Sequence, residues 1–488
     1  MWFILEKYGR KVRSFCITKP YKGILPWEVM VSFWVYDVSF LVLFTVFIVW
    51  FIWSRKHNLS REGIIYMYRT KLGIRAINWF SDKFAGLLHK IKYFVIGVGV
   101  FLMVVMTWML YQTLSLYIFN PEITRVIKAP PIAPLIPYFP KLFGMSSFFP
   151  PFYFIYFIVA LAIVAIVHEF SHGIYMRLFK IKIKSTGVVF LGPILGAFVE
   201  EEKKGFEKKK KVEQMTVLAA GVFANIVFAL IFYLLYVVFF FSSFTASGYI
   251  FTSYGLDVIS VDKIGVFTKE GEFMKFIVEG KNYYLDENLL KQLNVSGVTQ
   301  IVAYQDAPAF KVKMKGAIIS ADDVKINNHE DLRMFLENKN PGDMVKFVTE
   351  TDEGTQEYNV VLASHPDESA RAYLGVGHNG QTARGVIGNV LSRFMSFKDS
   401  STYYKPTWDG DFVIFIFQFL WWIMVINLLV GLFNMLPLGI LDGGRFFYLL
   451  VWGITGSEKI GRGAYKWAGR LILLMFLLMM FYWAIGIF

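Results

Sequence analysis

Two histidines four residues apart, with a glutamate beside the first, stand in the run His168-Glu169-Phe170-Ser171-His172. On a helix, residues i and i+4 share one face a turn apart, so both imidazoles can converge on a single metal ion. Glu169 can then reach a water that the metal activates and serve as its general base. The chain has seven histidines, too few for chance to be a comfortable source of this spacing. A zinc ion held this way needs a third protein ligand and an open fourth position. His57 and His89 lie in a basic stretch, and His329, His365 and His378 in a polar one, so a carboxylate is the better candidate. Asp442 follows the uncharged run 412–441 and is itself followed by Gly443-Gly444. An isolated acid in such surroundings needs a cationic partner. The competing reading is an aspartate that caps a helix starting at Gly443.

The elements that carry these residues are membrane spans. The wholly apolar run 155–167 leads directly into His168, which places the motif inside a spanning helix. A charge such as Glu169 costs roughly 2.5–3.5 kcal/mol at the centre of an inserted helix, and such residues are functional by default. With Arg177 at the membrane boundary, His172 and His168 lie about 8 and 14 Å inside it at ~1.5 Å per residue. Two histidines that merely pack a helix bundle would leave Glu169 without a role.

The whole chain fits that setting. Of its 488 residues 56% are hydrophobic and 18% aromatic, too apolar for a soluble protein of this length. Six spans are expected, at about 33–53, 94–118, 151–178, 214–241, 412–437 and 468–488, each near the ~20 residues that cross a bilayer. The first contains one acid, Asp37. The stretch 446–455 is too short to cross and is expected along the membrane surface. A net charge of +13 fits either nucleic acid or a membrane. Position decides for the membrane, and no nucleic-acid partner is expected. Nine Lys and Arg fall within 55–92 and ten within 177–211, against three within 119–141. By the positive-inside rule the two dense loops are cytoplasmic, which puts the active site near the cytoplasmic side of a cell membrane. The basic N-terminus (Lys7, Arg10, Lys11, Arg13) would then be external, against the rule. One cysteine, Cys16, excludes an internal disulfide and a thiolate cluster. No cleavable leader is expected, since the first apolar run is too long and lacks a small-residue cleavage site.

The fold class expected is a polytopic α-helical membrane protein of about six transmembrane helices with a small inserted α+β domain. Four regions follow: an N-terminal membrane region with two spans and a basic loop (1–140), a first part of the catalytic core (141–247), an extracytoplasmic domain (248–411) and a second part of the core (412–488). In the third, 344–349 and 357–362 alternate with period two around a helix-like 328–338. Ala307-Pro308-Ala309, Gly316-Ala317-Ile318-Ile319-Ser320, 324–328, 330–336 and Pro341-Gly342-Asp343 together resemble a PDZ domain of the kind found in membrane and periplasmic proteases. That resemblance implies a peptide ligand, and 257–296 then reads as an insertion. The proline-rich tract 129–151, with seven prolines, argues against helix there. The stretch 187–199, with Gly192, Pro193 and Gly196, reads as a membrane-associated hairpin whose edge can hold a substrate as an added strand.

Taken together, the His168–His172 motif, Asn434-Met435-Leu436-Pro437 and Leu441-Asp442-Gly443-Gly444 resemble the signatures of the site-2 protease family. Gly221 and Asn225, in the helix between them, resemble a third family feature. The likeness spans about 150–450. It implies one zinc ion held by His168, His172 and Asp442, with Glu169 activating water, Asn434 near the scissile carbonyl and Asn225 near the core. It implies hydrolysis of transmembrane protein substrates within the bilayer, in regulated intramembrane proteolysis. The chief rival is a non-enzymatic membrane scaffold that binds a partner through the PDZ-like domain. Such a scaffold has no need of Glu169. Metallopeptidases that trim prenylated C-termini take a downstream Glu as third ligand, which Asp442 argues against. A transporter is a third option, because intramembrane acids and histidines also line ion paths.

Overall fold

The computed structural model describes residues 31–487 apart from 64, 120–129, 132–134, 147–148, 193, 272, 287–298, 352, 379–392 and 395. The basic N-terminus, Cys16 and Pro193 fall outside the described residues. The helices α1 (Val31–Ser54), α2 (Ile74–Lys83), α3 (Ala85–Phe119), α4 (Phe154–Leu178) and α5 (Lys211–Ser243) precede a strand-rich stretch that holds α6 (His329–Glu337). After it come α7 (Gly410–Asn434), α8 (Asp442–Thr455) and α9 (Glu458–Ile487). Among the described residues six helices are long and apolar enough to cross a membrane: α1, α3, α4, α5, α7 and α9. That is the number expected from hydropathy, but α3 and α9 begin well before their uncharged runs. These added turns carry Lys90, Lys92, Arg462 and Lys466. Hydropathy marks where a helix enters hydrocarbon, and hydrogen bonding carries it further.

The chain divides into two compact units, one holding 241–414 and the other 29–240 with 415–488. In the membrane unit, apolar surface gains little from leaving lipid, so helices associate through close packing. Gly99 of α3 lets that helix approach Ala219 of α5, Met435 and Phe446 of α8. Val95, Leu102, Ile174, Val222 and Phe446 are buried together there. The first 140 residues, which contribute little to the family likeness, therefore supply part of the packing around α4 and α5.

The basic stretch between α1 and α3 is not a plain loop. It forms β1 (Leu59–Glu62) and β2 (Ile65–Thr70), which join β3 (Ile183–Leu191) and β4 (Ile194–Glu201) in one antiparallel sheet of order β1-β2-β3-β4. The hairpin expected at 187–199 is thus the second half of a four-stranded sheet, and it runs from 183 to 201. The proline tract holds a one-turn helix, Phe139–Leu142, with Pro140 in its first turn. A proline there loses no intrahelical bond, so the tract forbids less helix than its composition suggests.

In the other unit α5 passes without a loop into β5 (Phe244–Ile250). The strands β6 (Leu256–Ser260), β7 (Thr268–Glu270), β8 (Phe273–Val278), β9 (Lys281–Asp286) and β10 (Gln300–Gln305) form a sheet of order β6-β10-β9-β8-β7. The strands β11 (Ala317–Ala321), β12 (Met344–Thr351), β13 (Gly354–Val361) and β14 (Thr402–Pro406) join β5 in a second sheet, of order β13-β12-β11-β5-β14. Burial alternates along β12, where Val345 and Phe347 point into a core shared with Tyr249, Ile318 and Leu332 of α6. Asn328 caps α6 by accepting the Asp331 amide at 3.0 Å. The strand β5 starts at Phe244, four residues ahead of the boundary expected at 248. Within the stretch read as an insertion, the strands between Leu256 and Asp286 belong to the first of these sheets, which has its own core around Phe276 and Leu285.

Candidate active site

The helix α4 is continuous from Phe154 to Leu178, and its i, i+4 spacing sets both imidazoles on one face. His168 and His172 are buried, at 7% and 6% exposure. Their Nε2 atoms lie 3.0 Å apart. Asp442 Oδ2 lies 3.0 Å from Nε2 of His168 and 3.3 Å from that of His172. Asp442 is the first residue of α8, whose N-cap position is Leu441, with no side-chain cap bond. The carboxylate is therefore turned to the histidines and not spent on capping its own helix.

What brings Asp442 there is the turn after α7. The chain leaves α7 at Asn434 and folds back tightly, with Leu438 N–H donating to the Leu436 carbonyl at 2.7 Å and Leu441 N–H to that of Leu438 at 3.0 Å. The first turn of α8 rests directly on this backbone. A Cβ at Gly443 would sit 2.4 Å from the Met435 carbonyl carbon, and one at Gly444 2.2 Å from the Leu438 oxygen. Only glycine allows this approach at either position, which gives the two glycines after Asp442 a geometric cause. Arg445 in the same turn pairs with Glu201 at the end of β4 at 2.8 Å. The pair is partly exposed, worth about 0–1 kcal/mol, and contributes register more than stability.

The opposite wall is one stripe of α5. Val217, Gly221 and Asn225 stand one turn apart on the same face. The Nδ1–H of His172 donates to the Val217 carbonyl at 2.7 Å. That bond fixes the tautomer and leaves the lone pair on Nε2 free for a metal. Nδ1 of His168 lies 3.1 Å from the Asn225 amide nitrogen, while the buried Oδ1 of Asn225 has no partner among the described residues. The two ends of an amide are told apart only by their partners. Turned over, Asn225 accepts from Nδ1–H and frees Nε2 of His168 as well. Between these two contacts Gly221 presents bare backbone to the imidazoles.

These residues fit a zinc ion. Two neutral imidazole nitrogens and a carboxylate oxygen are a common catalytic donor set. Their separations of 3.0, 3.0 and 3.3 Å come close to the edge of about 3.3 Å that a tetrahedral zinc site with ~2.0–2.1 Å bonds requires. The orphaned Asn225 oxygen is the acceptor that a zinc-bound His168 needs. On that basis Asn225→Ala is expected to weaken zinc binding about 10–100-fold. Competition against a chelator of known affinity measures it, and an unchanged affinity would remove Asn225 from the ligand support.

Glu169 lies beside the histidines, its carboxylate within 4.8 Å of their ligating nitrogens. Its Oε2 accepts the Val199 amide of β4 at 3.0 Å. That amide points away from β3, so Glu169 stands at the unpaired edge of the sheet. Asn434, the fifth residue singled out for chemistry, is half-buried at the last position of α7. Its side chain makes no hydrogen bond to a described residue. The structure thus brings His168, His172, Asp442 and Glu169 together, with Gly221 and Asn225 behind them, and leaves Asn434 apart from their hydrogen-bond network. Two contributors carry no sequence signal, since the Val199 amide and the Val217 carbonyl are backbone groups that any residue has.

The model of peptidase family M50 matches residues 156–480. An uncharacterized protein of Methanocaldococcus jannaschii, MJ0971, is 29% identical over 204 residues, 40% of this chain and 50% of its own length. Rip3 of Mycobacterium tuberculosis, named as a proposed zinc metalloprotease, is 46% identical over 56 residues, 11% of this chain and 14% of its own length. The matched segments thus span half or less of these relatives.

Proposed function

The chain belongs to peptidase family M50, the site-2 protease family, and from that premise we propose that it hydrolyses peptide bonds within or near the transmembrane segments of other membrane proteins. The observation that carries this reading is the meeting of His168, His172 and Asp442 beside Glu169, on helices long and apolar enough to cross a membrane. His168, His172 and Asp442 would hold the zinc, through Nε2, Nε2 and a carboxylate oxygen. When bound, zinc supplies a Lewis acid and an activated water at neutral pH.

The remaining chemistry falls to the chain's own groups. Oε2 of Glu169 is engaged by the Val199 amide, so Oε1 is the atom free to take the water's proton and pass it to the leaving amine. An extended substrate added to the outer edge of β4 would run past that carboxylate. Such pairing supports a helical substrate once it has unwound, since its amides then need new partners. Asn434 is proposed as a donor to the substrate carbonyl, on the strength of its unused amide at the end of α7. The basic stretches 55–92 and 177–211 favour a cytoplasmic location for this end of the site in a cell membrane. A peptide ligand for the PDZ-like segment and a role in regulated proteolysis belong to the same proposal.

The test uses the full chain, purified in detergent, with a model single-span substrate. About one zinc per chain, cleavage mapped inside the span by mass spectrometry, loss with a chelator and return with zinc would support the proposal. Bound zinc without cleavage of any of several spans would overturn it in favour of a metal-stabilised scaffold.

A further inference from the structure

Asp37 stands in α1, outside the segment that the family model matches, and is buried, with 2% of the residue exposed. A buried charge in a spanning helix requires compensation. Here the compensation comes from the start of the metal-binding helix. The Phe154 amide donates to Oδ2 at 2.7 Å and the Ile155 amide to Oδ1 at 3.0 Å. These are first-turn amides of α4, which have no partner within the helix. The residue at the α4 N-cap, Tyr153, makes no side-chain cap bond, so α4 takes its cap from a different helix. The Tyr138 hydroxyl donates to Oδ2 at 2.6 Å as a third partner.

The negative carboxylate also faces the positive end of the helix dipole. At its other end α1 sets Phe51 against Phe190 of β3 and Tyr68 of β2, at ring-centroid distances of 5.6 and 5.5 Å. The helix therefore holds both the start of α4 and the sheet whose edge strand binds Glu169. Between Phe154 and His172 the sequence has neither proline nor glycine, the usual sites of a kink. An axial shift at the N-terminus would travel along such a helix to the histidines undiminished.

We infer that Asp37 is a positioning residue of the active site: it fixes the axial position of α4, and so the register of His168, Glu169 and His172 against Asp442 on α8 and Val199 on β4. It touches neither metal nor substrate. The inference rests on the zinc-site reading but extends it to a helix that the family likeness leaves unassigned.

The test compares Asp37→Ala, Asp37→Asn and Tyr138→Phe in the full-length protein. Zinc loss to a chelator should speed up about tenfold or more in Asp37→Ala, since misplacement by even 1 Å is costly at such sites. In Asp37→Asn one oxygen remains for one amide, and the effect should be smaller. Cleavage should show a lower kcat with KM within about twofold, the pattern of a disturbed reacting centre and not of disturbed binding. Tyr138→Phe should leave zinc release near wild type, because both α4 amides stay capped. If Asp37 serves only to anchor the segment around Tyr138, Tyr138→Phe and Asp37→Asn will behave alike, and the inference falls. Hydrogen exchange in the unmodified protein gives a reading independent of any variant's folding. Protected Phe154 and Ile155 amides support the inference, and exchange at the rate of an uncapped helix end overturns it. If the wild type cleaves nothing, the peptidase reading fails while the zinc-release and exchange arms still decide the role of Asp37.

Discussion

Glu169→Gln is expected to slow peptide cleavage about 10²–10⁴-fold while leaving one zinc per chain in place. The two effects separate because Glu169 is not one of the three groups that close on a common point. His168, His172 and Asp442 approach one another through single atoms at 3.0–3.3 Å. Glu169 instead leans to the strand β4, where Oε2 holds the Val199 amide. Glutamine keeps the shape and can keep that bond through its carbonyl oxygen. What it loses is the ability to take a proton at Oε1 near neutral pH. Zinc analysis and single-turnover cleavage on the same preparation check both halves. A variant that retains zinc and also retains cleavage would remove Glu169 as general base, and a variant that loses zinc would make it a ligand.

How much of this was legible in the sequence depends on whether a residue's role is local. The spacing of His168 and His172 is local, and so is the apolar run that leads into them. Six apolar runs gave six candidate spans for the same reason, since bilayer thickness imposes a length that hydropathy can count. Asp442 was reachable as an isolated acid, though only the fold-back at 435–441 explains why Gly443 and Gly444 must follow it. What the sequence concealed was long-range pairing. The strands β1 and β2 are short, β1 half charged with Arg61 and Glu62, and β2 meets its partner β3 only when Thr70 reaches Thr186. The strand β5 follows the span α5 directly, with no turn signal to mark where helix gives way to strand. Asp37 was noticed as a lone acid in a span, but nothing in its neighbourhood says that its partners are the amides of Phe154 and Ile155. Backbone donors have no letter in a sequence.

Gly221→Ala is expected to abolish stable zinc binding, although alanine is the better helix former. A Cβ at this position would lie 2.6 Å from Nε2 of His172 and 2.7 Å from both Cε1 and Nε2 of His168. No rotamer relieves that contact, because a methyl group on the backbone has none. The imidazoles are equally constrained, His172 by the Val217 carbonyl and His168 by Asn225, one turn to either side on the same helix. Either α5 moves away from α4 or the rings turn off their axis, and both routes separate ligands that need to meet within tenths of an ångström. Overpacking of this kind costs about 1–3 kcal/mol in stability, and a misplacement near 1 Å about 10²-fold in function. Gly97→Ala on α3 is the matched control: nothing lies within 4 Å of its Cβ, so the same substitution meets open space. There the exchange should be neutral or should stabilise by about 0.5–1 kcal/mol through the loss of glycine's backbone entropy. Zinc content and melting temperature on both variants decide the matter. Loss of zinc in Gly221→Ala with a fold as stable as that of Gly97→Ala would place the damage at the ligands. Wild-type zinc in Gly221→Ala would mean that α5 is free to retreat, and that the histidines are positioned from α4 alone.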